Sequence, residues 1–158
     1  MGNMANLIEQ RDALLALTDV ARLLKTFVDR EAADHGMTHA QWGVLRRIER
    51  HDGSMQAEIA EQMELQPISL VPILDKLCEQ GLIERRAHPE DRRAKLLFLT
   101  GLGKSRLQSL EPLAEGISNS VFAGVPAAGI TGLRQQLLQL KDNIKRASDT
   151  TRTAAKGG

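Results

Sequence analysis

The segment LIERRAHPEDRRAKLLFLT, residues 82–100, changes within a few positions from a dense cluster of charges to an apolar run. LIERRA and AKLLFLT have the composition of β-strands, and HPED between them forms a turn in which Pro89 occupies a favoured position. The segment therefore predicts a β-hairpin. Arg92 and Arg93 lie at or beside its tip, where long cationic side chains reach a phosphate backbone or a groove.

Two short helices are predicted immediately before this hairpin. Residues 56–63 carry apolar positions at helical spacing, and Pro67 suits the first position of a helix that runs to about Gln80, where Gly81 ends it. Two short helices joined by a tight turn form a helix-turn-helix pattern, which is common in small helical bundles. A hairpin directly after such a pair is a wing, so residues 38–100 predict a winged helix-turn-helix.

Long amphipathic helices are predicted on both sides of the winged segment. Apolar residues recur at steps of three and four over residues 7–34, 103–123 and 126–146, and Pro112 should bend the second of these helices. The last helix carries a narrow coiled-coil-like stripe made of Ile130, Leu133, Leu137, Leu140 and Ile144. These apolar faces lie outside the small winged core. We expect them to bury against a second copy of the chain, as dimerisation helices.

The predicted fold class is mainly α with a small β-hairpin wing, in one domain over residues 7–147. Residues 1–6 are predicted to be a flexible N-terminus. Residues 148–158 have no apolar periodicity and are predicted to be a disordered tail. Within the domain, Thr38 and Gln41 have the spacing of a capping box at the start of a helix.

Composition points to a cytoplasmic protein that is not an enzyme. The 158 residues are 42% hydrophobic and 26% charged, with no apolar run near the roughly 18 residues of a membrane helix and no export signal. A single cysteine, Cys78, excludes an intrachain disulfide, and four scattered histidines do not favour a metal site. No nucleophile–base pair or phosphate loop is present. We therefore expect no cofactor and no membrane partner.

Four successive segments resemble a known family. MTHAQWGVLRRI, QAEIAEQMEL, LDKLCEQGLIERR and PEDRRAKLLFLT are similar, in this order and spacing, to the signatures of MarR-type regulators, which are bacterial winged-helix repressors. The wing fits their D-x-R, five residues, L-T pattern with Asp91, Arg93, Leu99 and Thr100. SLVPILDKL and DRRAK are similar to the SlyA branch in particular. The resemblance covers about residues 7–146 and implies a twofold homodimer that binds a pseudo-palindromic operator in double-stranded DNA.

The resemblance also implies roles for residues of the wing. Arg92 matches the family arginine that inserts into the minor groove beside the operator half-site; otherwise it is a solvated turn residue. Arg93 either pairs with Asp91, which would stabilise the wing, or contacts a phosphate.

Further DNA contacts are predicted outside the wing. Ile68, Ser69 and Lys76 lie on the helix that starts at Pro67, which the resemblance places in the major groove, although a solvated surface explains Lys76 equally well. Gln56 and His39 lie at helix N-termini, and they either contact phosphates beside the backbone amides or serve as caps or surface residues.

Pro72 departs from the pattern of the family. In the SlyA branch this position is typically an arginine that contacts DNA, whereas proline has no donor and costs about 3 kcal/mol in a helix interior. Either the helix starts at Pro67 with Pro72 inside it, or Ser69 is the N-cap and Pro72 falls in the first turn. We favour the first arrangement because Pro67 is a strong start signal. In both cases direct base recognition is reduced, and groove shape and wing contacts carry more of the specificity.

The resemblance finally implies a small-molecule effector, an aromatic or amphipathic carboxylate bound between the dimerisation helices and the winged lobe. Phe27, Trp42 and Arg46 fall near such a cleft, and Arg46 is suited to hold the carboxylate. A tryptophan in the position of Trp42 is more often a core residue than a ligand contact. The function predicted is thus a ligand-relieved transcriptional repressor. The alternative is a winged-helix module that binds protein and has weak or lost DNA binding because of Pro72.

Overall fold

The computed structural model describes the backbone of residues 2–156 and the side chains of residues 4–150. Within that backbone the chain forms seven helices and three short strands. The helices are α1 (Gly2–Ala33), α2 (His39–Arg50), α3 (Gln56–Gln62), α4 (Pro67–Glu79), α5 (Gly101–Ser109), α6 (Glu111–Val121) and α7 (Ala127–Lys156). The strands are β1 (Ser54–Met55), β2 (Ile83–Ala87) and β3 (Lys95–Leu99).

The hydrophobic core belongs to one part of the chain. The chain divides into a first compact unit that ends at Ile117 and a second that begins at Ser118. The core lies in the first unit, and its largest fully buried side chains are Val44, Leu45, Ile48, Ile59, Leu70, Leu74, Leu77, Leu97, Leu107 and Leu110. The single domain over residues 7–147 stays a prediction. The apolar side chains of α7, in the second unit, are about half exposed in the isolated chain.

The small sheet is antiparallel, in the order β1-β3-β2. β2 and β3 form the predicted hairpin, with Ile83 opposite Leu99 and Ala87 opposite Lys95. β1 was not predicted, because two residues carry no alternating pattern; it is held by pairing with β3 across more than 40 positions of sequence. The wing is thus anchored to the segment that leads into α3, which sets the position of the hairpin relative to the helix-turn-helix.

The local signals of the helix-turn-helix are confirmed. Thr38 Oγ1 accepts the backbone N–H of Gln41 at 3.1 Å, and Gln41 Oε1 accepts the backbone N–H of Thr38 at 3.0 Å, which completes the capping box. α4 begins at Pro67 and contains Pro72 in its interior, as in the first of the two arrangements considered. Gly81 follows α4 with a φ of 69°, a left-handed conformation that favours glycine.

Both termini are more helical than predicted. The predictions of a flexible N-terminus over residues 1–6 and a disordered tail over residues 148–158 are wrong for the described backbone. α1 begins at Gly2, and α7 continues to Lys156. No proline interrupts either segment, and a nucleated helix gains one hydrogen bond for each residue added. Met1 and residues 157–158 lie outside the described backbone.

The helix predicted over residues 103–123 is two helices. α5 ends at Ser109, and Leu110 caps it by donating its backbone N–H to the carbonyls of Arg106 and Leu107. Pro112 has no N–H to continue α5, so a new helix starts at Glu111 instead of the predicted bend within one helix. The last predicted helix, over residues 126–146, begins one residue later than predicted and extends further, as α7 (Ala127–Lys156).

None of the helices described is both long enough and apolar enough to cross a membrane.

Candidate nucleic-acid interface

The tip of the hairpin is a tight turn closed by Asp91. One carboxylate oxygen of Asp91 accepts the backbone N–H of Arg93 at 2.9 Å, and the carbonyl of Asp91 accepts the N–H of Ala94 at 3.0 Å. The Asp91 carboxylate thus pairs with the backbone N–H of Arg93, and the guanidinium of Arg93 forms no ion pair with it among the described side chains. Asp91 orders the turn and leaves the side chains of Arg92 and Arg93 exposed. We call these two the wing-tip arginines.

His88 is a second anchor of this turn. The backbone N–H of His88 donates to the carbonyl of Ala94 at 3.2 Å. Its imidazole Nδ1 accepts the backbone N–H groups of Glu90 and Asp91 at 3.1 and 3.2 Å. This requires Nδ1 without a proton, the tautomer with hydrogen on Nε2. Sequence reasoning missed this role, although an acceptor side chain directly before Pro-Glu-Asp is a typical turn-capping position.

We expect His88→Ala to loosen the wing tip without loss of fold. The amides of Glu90 and Asp91 should exchange faster with solvent, and operator affinity should fall by about 0.5–1.5 kcal/mol, the usual net value of a hydrogen bond. The free energy of unfolding should change by less than about 0.5 kcal/mol, as for most surface sites. His35→Ala, in the exposed turn after α1, is the matched control. Unchanged exchange at both amides would contradict the role of His88.

The arginines of β2 are already engaged by the protein. Arg85 Nη1 contacts Asp75 Oδ1 on α4 at 2.7 Å. Arg86 pairs with Glu84, and its guanidinium carbon lies 4.1 Å from the ring centroid of Phe98. Among the side chains of residues 4–150, by contrast, the wing-tip arginines form no ion pair. Their charge is therefore available to a polyanion without the loss of an internal contact.

The exposed face of α4 begins with apolar residues. Ile68 and Ser69 are exposed at its first turn, and Pro72 is exposed one turn later. Lys76 is also exposed, but its Nζ lies 3.4 Å from Glu79 Oε2, which leaves it a partly neutralised cation. The predicted contacts Ile68, Ser69 and Lys76 thus share the solvent face of the second helix of the helix-turn-helix.

The two residues predicted at helix N-termini differ in what they offer. Gln56 is the first residue of α3 and is half-buried. His39 is the first residue of α2, and its backbone N–H donates to a carboxylate oxygen of Asp29 at 2.7 Å. Because Asp29 accepts this N–H, the first backbone amide of α2 is already engaged within the chain, whereas the imidazole of His39 is exposed.

Asp29 joins the end of α1 to the start of α2. The hydrogen bond from His39 lowers the pKa of the Asp29 carboxyl below its ordinary value of 3.8, against a smaller opposing effect of burial. Lys25 on α1 adds to the lowering, with its Nζ 3.1 Å from the second carboxylate oxygen.

Asp29→Ala is expected to lower the free energy of unfolding by about 1 kcal/mol at pH 7, the typical cost of removing a side-chain acceptor at a helix N-terminus. The folded-state pKa is lowered, so this contribution is present above pH 3.8 and is lost as the pH falls through the folded-state value. Urea unfolding at a series of pH values from 7 downwards measures the difference in free energy of unfolding between the unmodified protein and Asp29→Ala. Asp34→Ala, at an exposed position, is the control. A deficit that stays constant at acid pH would exclude this origin.

The residues predicted to bind an effector are not all free. Trp42 is 8% exposed and belongs to the core, but its Nε1 is buried and has no hydrogen-bond partner among the described residues. The guanidinium of Arg46, one helical turn further along α2, pairs with Glu49 at 3.0 Å and with Glu111 of α6. Burial lowers the pKa of Arg46, and the hydrogen bonds to Glu111 and then Glu49 outweigh it, so the net direction is upwards.

Phe27 is half-buried on α1, with the guanidinium carbon of Arg30 5.4 Å from its ring centroid. A cavity of about 510 Å³ lies elsewhere, between the end of α1, the start of α2 and the end of α4, and its lining includes Lys25, Met37 and Lys76. Phe27, Trp42 and Arg46 do not line that cavity. The predicted cleft residues therefore mark a different surface from the cavity.

Comparisons with known proteins agree with this architecture. The model of the MarR family matches residues 37–95, from the turn before α2 to the first residue of β3. The solved transcriptional regulator PA3341 is 32% identical, with a TM-score of 0.72, over 85% of this chain and 98% of its own. The chain belongs to the MarR family.

Two further solved structures are similar along most of the chain. A MarR-family transcriptional regulator from Rhodococcus sp. RHA1 is 25% identical, with a TM-score of 0.76, over 83% of this chain and 93% of its own. CouR from Rhodococcus jostii RHA1, bound to p-coumaroyl-CoA, is 26% identical, with a TM-score of 0.73, over 82% and 91%. As a MarR-family protein with this winged helix-turn-helix, the chain is a DNA-binding transcription regulator.

Proposed function

We propose that this MarR-family protein is a cytoplasmic repressor that binds a pseudo-palindromic operator as a homodimer and is released by a small carboxylate effector. The observation that carries the DNA-binding part is the pair of wing-tip arginines, which are exposed, held on an ordered turn and not neutralised by another described side chain. In this proposal Arg92 enters the minor groove beside each half-site, and Arg93 contacts a phosphate.

The homodimer is supported by the apolar surfaces of the terminal helices. On α7, Leu133, Leu137, Leu138, Leu140 and Ile144 are 39–59% exposed, and on α1, Leu7, Ile8, Leu14, Leu15, Val20 and Leu23 are 45–66% exposed. Monomeric proteins rarely leave so much aliphatic surface in contact with water. A second copy offers the same faces in return, as a twofold interface requires.

A twofold dimer determines the form of the operator. The two copies of α4 would enter successive major grooves about 34–36 Å apart, so the half-sites would be inverted repeats spaced by about one helical turn. Mobility-shift titration of the region upstream of the gene, over a salt series, tests this. Binding to an inverted repeat with a protein dimer is expected. Binding of equal strength to any sequence would favour the alternative in which specific DNA recognition has been lost.

The effector is proposed from the surroundings of Arg46. In this proposal an aromatic carboxylate replaces Glu111 as the partner of the Arg46 guanidinium. Trp42 lies one turn earlier on α2, and its buried indole N–H has no acceptor among the described residues. Because Glu111 starts α6, the exchange would loosen the contact between α2 and the α5–α6 junction. CouR supports a small-molecule effector with an aromatic acyl group, since its structure holds p-coumaroyl-CoA.

An effector of this kind is expected to weaken operator binding by about 5- to 150-fold at saturation, the usual range for coupled sites, and the operator should weaken effector binding by the same factor. p-Coumarate, its coenzyme A thioester and benzoate are suitable first compounds. Arg46→Gln should reduce the effect, whereas Arg50→Gln, one turn further along α2, should not. A compound that binds without changing operator affinity would not be the effector.

A further inference from the structure

The outer face of α4 is apolar where a recognition helix normally carries donors. Ile68 is 81% exposed, and Val71 is 38% exposed on the flank of the same turn. Pro72, one turn after Ile68 on the same line of the helix, is also exposed and has neither an N–H nor a polar side-chain atom. Within residues 67–72, Ser69 alone carries a polar side chain.

The charged residues of α4 lie in its C-terminal half, and each forms an ion pair. Asp75 contacts Arg85 of β2 at 2.7 Å, and Glu79 lies 3.4 Å from Lys76. Unpaired carboxylates would repel the phosphates of DNA. The ion pairs reduce this repulsion, but they do not let the C-terminal half of α4 distinguish one base from another. In a helix-turn-helix the N-terminal residues of the second helix approach the base edges. In this chain those residues are the apolar ones.

We propose that α4 recognises the C5-methyl groups of thymine in the major groove, through Ile68 with Val71 and Pro72, in place of hydrogen-bonded base recognition. The thymine methyl group is the apolar feature that the major-groove edges present, so it is the group that this face complements. The hydroxyl of Ser69 both donates and accepts, and it therefore discriminates poorly between bases. This inference rests on the proposed operator binding and assigns the source of its specificity.

The consequence is a measurable dependence on single methyl groups. Removing a buried methyl group costs about 0.8 kcal/mol, which corresponds to about a fourfold loss of affinity. Replacing thymine by deoxyuridine deletes that methyl group and leaves the hydrogen-bonding edge unchanged. A twofold operator with the replacement in both half-sites should therefore lose about 15-fold in affinity.

The experiment uses the full-length dimer and an operator selected from random-sequence DNA. Deoxyuridine is placed at one thymine position at a time, and affinities are measured for the unmodified protein, for Ile68→Ala and for Leu102→Ala. Leu102 is a matched control, since it is 59% exposed on α5. We expect the fourfold loss at thymines under α4 for the unmodified protein and for Leu102→Ala. Ile68→Ala should bind thymine and deoxyuridine operators alike.

Three outcomes would overturn the inference. Equal affinity for thymine and deoxyuridine at every position means that no methyl group is recognised. A loss of undiminished size in Ile68→Ala means that Ile68, the most exposed apolar residue of this face, does not recognise the methyl group. If the protein selects no sequence at all, the proposed operator binding fails together with this inference, whereas sequence-specific binding that ignores the methyl groups removes the inference alone.

Discussion

Replacing Leu137 and Leu140 together by aspartate is expected to convert the protein from a dimer into a monomer. About 40% of each side chain is exposed in the isolated chain, so its remaining burial at a twofold interface contributes about 1 kcal/mol. Four such side chains meet in a dimer, and four carboxylates in the same place add several kcal/mol of desolvation and repulsion. Sedimentation velocity at micromolar concentration should show the monomer alone.

The same measurement distinguishes a lost interface from a lost fold. Gln135→Asp with Gln139→Asp places two carboxylates on the polar side of α7 and should leave the dimer intact. The fluorescence of Trp42, the one tryptophan, reports on the core of the first unit and should be unchanged in both double variants. If the Leu137 and Leu140 variant still sedimented as a dimer, α7 would not be the dimer contact.

Arg92→Ala is expected to weaken operator binding by about 1–3 kcal/mol and to reduce the slope of log affinity against log salt by about one. The arginine is exposed at the wing tip and forms no ion pair among the described side chains, so its loss removes a contact to DNA without leaving an internal partner unpaired. With apolar residues on the outer face of α4, affinity should depend strongly on this charge. The melting temperature and the dimer should hardly change.

A conservative variant separates charge from shape at the wing tip. Arg92→Lys keeps the positive charge and should preserve the salt slope, but it lacks the planar guanidinium and should still lose part of the affinity for the operator. Arg22→Ala, which removes a charge that is paired with Asp19 on α1, is the control for net charge. Operator affinity that is unchanged in Arg92→Ala would mean that the wing does not contact DNA and that PEDRRAK is only a charged turn.

Features that depend on neighbouring residues were predictable from the sequence. The capping box of Thr38 and Gln41, the start of α4 at Pro67 and the hairpin with Arg92 at its tip all follow from signals within a few positions. Such signals act through backbone dihedral angles and short-range hydrogen bonds, which a residue's near neighbours decide. The four segments that resemble the MarR family, in their order and spacing, were sufficient to suggest the family.

Other features depend on contacts between distant parts of the chain, and only the tertiary structure shows them. β1 exists because β3 supplies its hydrogen bonds, and Arg46 is engaged because Glu111, 65 positions later, lies beside it. Asp29 reaches the first amide of α2 only because α1 ends where it does. The sequence determined the winged helix-turn-helix through local conformational preferences. The tertiary structure decided which charges remain available to DNA, since pairing depends on distances that residue order does not contain.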